Sequence, residues 1–186
     1  MRLRVIAGLL GVIWLVAGWA YADTIGLYAD SQGTQCNIVD NATRLLPIYV
    51  VHVSSVGSTG SQFSAPKPAC MVGAIWLSDT DPFGMFLGTT QTGVTIPYGA
   101  CKTGPFLATI MNFFGYGTSE PCCSYPVLGH PYVDPNNPTV GDCANRQVHS
   151  AQGLMGTING NATCPCGYPV PVAETSWGRV KALYTE

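Results

Sequence analysis

Apolar positions along this chain come in short runs separated by Gly, Pro, Asn and Asp. Positions 24–29 alternate around Ile25 and Leu27, the period of a half-buried strand. Positions 48–53 form an unbroken β-branched and aromatic run that takes in His52, the mark of a strand buried on both faces. Pro47 has no N–H to give a ladder and is expected as that strand's first residue. Further strands are expected at 62–65 (behind the turn-like Gly57-Ser58-Thr59-Gly60), 72–77, 85–89, 94–98, 106–114 and 152–158. Within 106–114, alternation puts Phe106, Ala108, Ile110, Asn112 and Phe114 on one face. Leu107, Thr109, Met111 and Phe113 would then take the other. Short strands at this spacing predict an all-β fold, an antiparallel β-sandwich.

Two end segments break the pattern. Met1-Arg2-Leu3-Arg4 is basic, 5–19 is apolar, and Ala20-Tyr21-Ala22 has the small-x-small form of a secretory cleavage site. The division is therefore a signal peptide over 1–22 and a single secreted domain over 23–186. The apolar run is short for a bilayer crossing of about 20 residues, so no stable membrane span is expected after cleavage. At the other end, within 172–186, Trp177, Val180 and Tyr184 fall at i, i+3 and i+7, one helical face. Thr175 or Ser176 can cap its first turn, and Arg179 and Lys181 suit its last. This predicts a short C-terminal helix that docks Trp177 onto the sandwich.

From 115 to 145 the texture is that of a long loop, with Pro121, Pro126, Pro131, Pro135 and Pro138 among Asn, Asp and Gly. Cysteines bear on whether it is ordered. All eight (Cys36, Cys70, Cys101, Cys122, Cys123, Cys143, Cys164 and Cys166) follow the leader, and an even number in an exported chain implies disulfides. Cys122 and Cys123 are adjacent and Cys164 and Cys166 nearly so, spacings that do not favour an internal bridge, so each is expected to reach a distant partner. Four bridges allow 105 connectivities, which sequence does not choose among. A bridge from Cys36 to Cys70, if those two pair, would contribute about 3–4 kcal/mol. The result is a sandwich with long disulfide-stapled loops.

Charge is sparse. The mature chain carries six basic and ten acidic residues and has no basic patch, which excludes nucleic acid as a partner. No Gly-x-Ser-x-Gly elbow, phosphate-binding glycine loop or His-Glu-x-x-His pair is present, and His52, His130 and His149 are scattered. No catalytic residue is singled out. The Cys and His spacings miss a zinc knuckle. Asp134, Asn136 and Asp142 gather oxygens in one stretch, a pattern calcium accepts, though Asp-Pro and Asn-Pro also initiate turns. Calcium is the one cofactor this pattern admits. Tyr116, Tyr125, Tyr132 and Tyr168 sit in Gly/Pro-rich segments, where exposed rings would stack on a sugar or anchor a protein.

Three stretches carry a resemblance: Ile25-Gly-Leu-Tyr-Ala-Asp30, Gly57-Ser-Thr-Gly-Ser-Gln-Phe63 and Glu174-Thr-Ser-Trp-Gly-Arg-Val-Lys-Ala-Leu-Tyr184. Together they resemble uncharacterised exported bacterial proteins with a cohesin-like β-sandwich. The resemblance implies export and an all-β body, and brings no catalytic residues.

These observations point to an exported, disulfide-stabilised, non-enzymatic binding or structural module, secreted or periplasmic, with a protein or carbohydrate partner. The alternatives are a secreted hydrolase without a motif and a calcium-stabilised adhesion-type module.

Overall fold

The computed structural model describes residues 23–166. The expected leader, Tyr168 and the expected C-terminal helix lie outside them. The described residues are all-β, with no helix among them.

Two long strands form the spine. β3 (Arg44–Phe63) and β6 (Gly93–Gly115) run antiparallel along their whole lengths, from Arg44 opposite Gly115 to Phe63 opposite Val94. Around one half of this ribbon, β1 (Thr24–Tyr28) pairs with β3 and β4 (Ala74–Thr80) with β6. Around the other half, β5 (Leu87–Thr89) pairs with β6, β8 (Thr139–Asp142) with β3, and β9 (Val148–Ser150) with β8. β10 (Gln152–Gly153) lies parallel beside β1. A small second sheet holds β2 (Asn37–Ile38), β11 (Met155–Ile158) and β7 (Cys123–Pro126), with β2 parallel to β11. Every other strand pairing is antiparallel.

The spine replaces what sequence reads as four separate strands. The runs at 48–53 and 62–65 are one strand, because Gly57 to Gly60 is an irregular stretch of β3 rather than a turn. The runs at 94–98 and 106–114 likewise join in β6. Gly57 shows why. Its φ is +94°, and a Cβ there would sit 2.6 Å from the Cys101 sulfur and 2.9 Å from that of Cys143. Glycine lets the strand pass beneath a disulfide without breaking. Pro47 is the fourth residue of β3, not the first. β1 ends at Tyr28 opposite Tyr49, so β3 has no β1 partner beside Pro47 and the missing N–H costs no bond there.

One apolar core joins the layers. Ile25 and Leu27, Ile48 and Val50, Phe63, Val94 and Ile96, Met111 and Phe113, Tyr125 and Ile158 are all in it. The alternation expected for 106–114 holds only in part. Ala108 is buried with Met111 and Phe113, although it differs from them in parity. The register skips one β6 residue between Val50/Thr109 and Val51/Leu107, and this bulge moves the even positions inward. The outer side of β1 and β3 carries a second cluster of Tyr28, Cys36 and Val51, with Tyr49, Val53 and Cys166 packed against it. The run at 48–53 is thus buried on both faces, as read.

Four disulfides lock this arrangement: Cys36–Cys166, Cys70–Cys123, Cys101–Cys143 and Cys122–Cys164. Cys36 pairs with Cys166, so the Cys36–Cys70 bridge is corrected, and both close pairs reach distant partners as expected. The 115–145 stretch is ordered and contributes two strands, β7 and β8.

A candidate binding platform

Four strand pairings place five side chains in one row across five strands. Leu87 of β5 faces Thr95 of β6, Thr95 faces Gln62 of β3, Gln62 faces Thr139 of β8, and Thr139 faces Ser150 of β9. The middle of the row is laced: Gln62 Nε2 donates to Thr95 Oγ1 at 3.1 Å, and Thr139 Oγ1 donates to Gln62 Oε1 at 3.2 Å. The next row is small and flat, with Pro97 opposite Gly60 and Gly60 opposite Gly141.

Two hollows meet at Thr95. One, of about 210 Å³, runs over Thr59, Gln62, Pro97, Gly141 and Val148. The other, of about 390 Å³, lies between Leu87, Gly93, Thr95, His130 and Tyr132. Neither is lined by Asp, Glu, Lys or Arg.

Tyr132 projects from the 130–137 turn and is 91% exposed, and Leu87 beside the same hollow is 62% exposed. The turn is held firmly. Tyr132 N donates to His130 Nδ1, Val133 N to the His130 carbonyl, and Asn136 N to Asp134 Oδ1. Gly93 admits it, because a Cβ there would lie 2.9 Å from both His130 Nε2 and Pro131 Cδ. An aromatic ring on a rigid turn loses little entropy when it binds.

The other residues singled out by sequence are dispersed. Tyr116 is exposed and donates its hydroxyl to the Val72 carbonyl. Tyr125 is fully buried, donates to the Ala65 carbonyl at 2.8 Å and packs edge-on to Phe113, which takes it out of reach of a surface ligand. Asp134 and Asp142 each accept amides of their own turns, Asn136 and Asn137 for the first and Asn145 for the second. No group of three His, Cys, Asp or Glu able to hold a metal occurs among the described residues.

A carboxylate, an imidazole and hydroxyls do come together, but inside the protein. Asp23 Oδ2 meets His149 Nε2 at 2.7 Å, and Asp23 Oδ1 lies 3.8 Å from His52 Nε2. His52 Nδ1 bonds the Tyr98 hydroxyl at 2.9 Å, which donates to Ser61 Oγ at 2.6 Å. Burial would raise the Asp23 pKa. The His149 hydrogen bond and the nearby His52 and Ser54 side chains outweigh it and hold the carboxyl below the usual range. Burial pushes the Tyr98 hydroxyl upward, so it stays protonated. Asp23, His52, Ser61 and Tyr98 are all buried, which keeps the Ser61 and Tyr98 hydroxyls away from the surface. The cluster's role is to tie β1, β3, β6 and β9 together.

Sequence reasoning placed Tyr132 among the candidates and missed Leu87, Thr95, Gln62 and Thr139. Only strand register brings those four into line, and no local pattern encodes it.

No family model matches the chain, and no curated protein does either. Solved structures do. The seventh ScaB type I cohesin of Pseudobacteroides cellulosolvens superposes with a TM-score of 0.51 over 80% of this chain and 98% of that one, at 10% identity. The sixth cohesin of Acetivibrio cellulolyticus scaffoldin B, solved with a Cel5 dockerin, gives 0.48 over 75% and 99% at 12% identity. The non-cellulosomal cohesin of Archaeoglobus fulgidus gives 0.45 over 76% and 93% at 13% identity. The fold is therefore a cohesin-like β-sandwich, braced here by four disulfides.

Proposed function

We propose that this chain is an exported, non-enzymatic binding module that takes a protein partner on the Leu87–Ser150 platform, with Tyr132 and Leu87 as the anchors. The observation that carries this reading is the Tyr132–Leu87 pair. Two large apolar side chains stand exposed at the end of a hydrogen-bonded, uncharged row on a rigid sheet. Interfaces of this kind place aromatic anchors against well-packed polar surroundings. The absence of charge around both hollows suits a partner recognised by shape and apolar contact. The likeness to the Pseudobacteroides cellulosolvens cohesin supports a binding role. Four disulfides suit an oxidising compartment outside the cytosol.

The test is capture from the envelope and culture fluid of the source organism, followed by titration of the purified captured protein. Tyr132→Ala and Leu87→Glu should each weaken its affinity at least tenfold without altering melting. Unchanged affinity in both variants would remove the platform as the site.

A further inference from the structure

Strand β3 outruns the strand beside it. β1 covers it only from Val53 to Tyr49, where Tyr28 ends the pairing. The chain then leaves the sheet in a turn of its own. Ala29 N donates to the Gln35 carbonyl, and the Asp30 carboxylate accepts the amides of Gln32 and Thr34. Among the described residues, 44–48 of β3 are therefore paired with β6 on one side and with no strand on the other. An open edge of that length runs about 17 Å, enough for a short extended peptide.

A hollow of about 370 Å³ opens beside this edge. Residues 37–39 line it on one side and 44–47 on the other, with Ala29 and Gln35 where β1 stops. β2 pairs with β11 alone, so it does not close the gap. Ile38 and Leu46 belong to the core, whereas Val39 is exposed and Leu45 is 67% exposed. Arg44 is the one charged residue lining the hollow. Its Nη2 donates to the Val39 carbonyl at 3.4 Å, and no carboxylate pairs with it among the described residues. Asp40, the acid nearest in sequence, is buried and bonded to Ser119 and Asn159 instead.

We propose that this gap takes the C-terminal residues of an extended partner peptide, added as a strand beside 44–48 with its terminal carboxylate on Arg44. An open strand edge gives main-chain donors and acceptors to an added strand, and an arginine fork takes a carboxylate. A strand lying antiparallel to β3, as β1 does, runs toward Arg44 and ends there, so direction and charge agree. Leu45 and Val39 then flank the apolar side chains of the peptide. The site stands apart from the Tyr132 platform and does not depend on it.

The test uses the full exported protein with its disulfides intact, immobilised and offered a pool of hexapeptides randomised at their last four positions. The pool is made twice, once with free C-terminal carboxylates and once amidated. The free-acid pool should be retained at least tenfold more than the amidated one. Arg44→Gln should make the two pools equal, Leu45→Glu should cut retention of the free-acid pool at least tenfold, and Tyr132→Ala should change neither. In a retained peptide, N-methylation of one alternate set of amides should abolish retention, and methylation of the other set should not. That arm needs no protein variant, so it stands even if a substitution disturbs folding. Equal retention of both pools by the wild type, or retention of neither, would overturn the proposal. So would indifference to the methylation pattern, or loss of retention in Tyr132→Ala, which would put the peptides on the platform.

Discussion

Asp23 and His149 stand 126 positions apart and meet at 2.7 Å, carboxylate Oδ2 to imidazole Nε2. The contact fastens the residue that precedes β1 to β9, and the Gln152 amide of β10 donates to the Asp23 carbonyl beside it. Asp23 is 1% exposed, so its charge depends on these partners rather than on water.

Acid should loosen this fastening. The Asp23 carboxyl titrates lower in the fold than in the open chain. Its contribution is therefore complete above the unfolded value of about 3.9 and fades as pH falls through the lower folded value. Melting temperature should drop as pH is taken from about 5 to 2, more steeply in the wild type than in Asp23→Asn. At neutral pH Asp23→Asn should cost about 2–3 kcal/mol in denaturant unfolding, the loss of charge-assisted hydrogen bonds. Parallel acid limbs for the two proteins would contradict the assignment.

Gly57→Ala should be costly although the residue is small. A methyl group would meet two disulfide sulfurs and force a side chain into φ +94°. We expect about 2–3 kcal/mol lost in chemical unfolding. Removing the Cys101–Cys143 bridge with paired serines should cost about 4 kcal/mol, and Gly57→Ala should be milder in that background, because the obstructing sulfurs are gone.

Two tyrosines from the same stretch should behave in opposite ways. Tyr125→Phe removes one of the two side-chain donors to the Ala65 carbonyl, leaving Gln91 Nε2, and should lower stability by about 1 kcal/mol. Tyr132→Ala should change stability by less than about 0.5 kcal/mol while weakening partner binding. Equilibrium unfolding of both variants reads the difference.

Calcium should leave the protein unmoved. Asp134 and Asp142 already accept the amides of their own turns. Melting curves with millimolar calcium and with a chelator should overlay, and an upward shift with calcium would revive an ion at these turns.

How far the fold could be read from sequence depended on the range of the interactions that set it. The β1 strand and the two-sided burial at 48–53 follow from local hydrophobic pattern, and both are present. The joining of those runs into β3 and β6 was not legible. Gly57, Gly99 and Gly104 look like turn residues and do take positive φ, yet they lie inside β3 and β6, where pairing with the partner strand carries the chain through them. The inward Ala108 was hidden for a similar reason, since a bulge changes parity without changing composition. Tyr125 and Tyr132 are indistinguishable by composition. One lies in β7 against Phe113 and the other on an outward turn. Asp23 and His149 carried no signal at all, being joined by topology alone.

Peptide mapping by mass spectrometry, without reduction, of protein recovered outside the cytosol tests this account most directly. It should show an N-terminus at Asp23 and four cross-linked peptide pairs, Cys36 with Cys166, Cys70 with Cys123, Cys101 with Cys143, and Cys122 with Cys164. Unblocked thiols at these positions, or a chain that still begins at Met1, would contradict it.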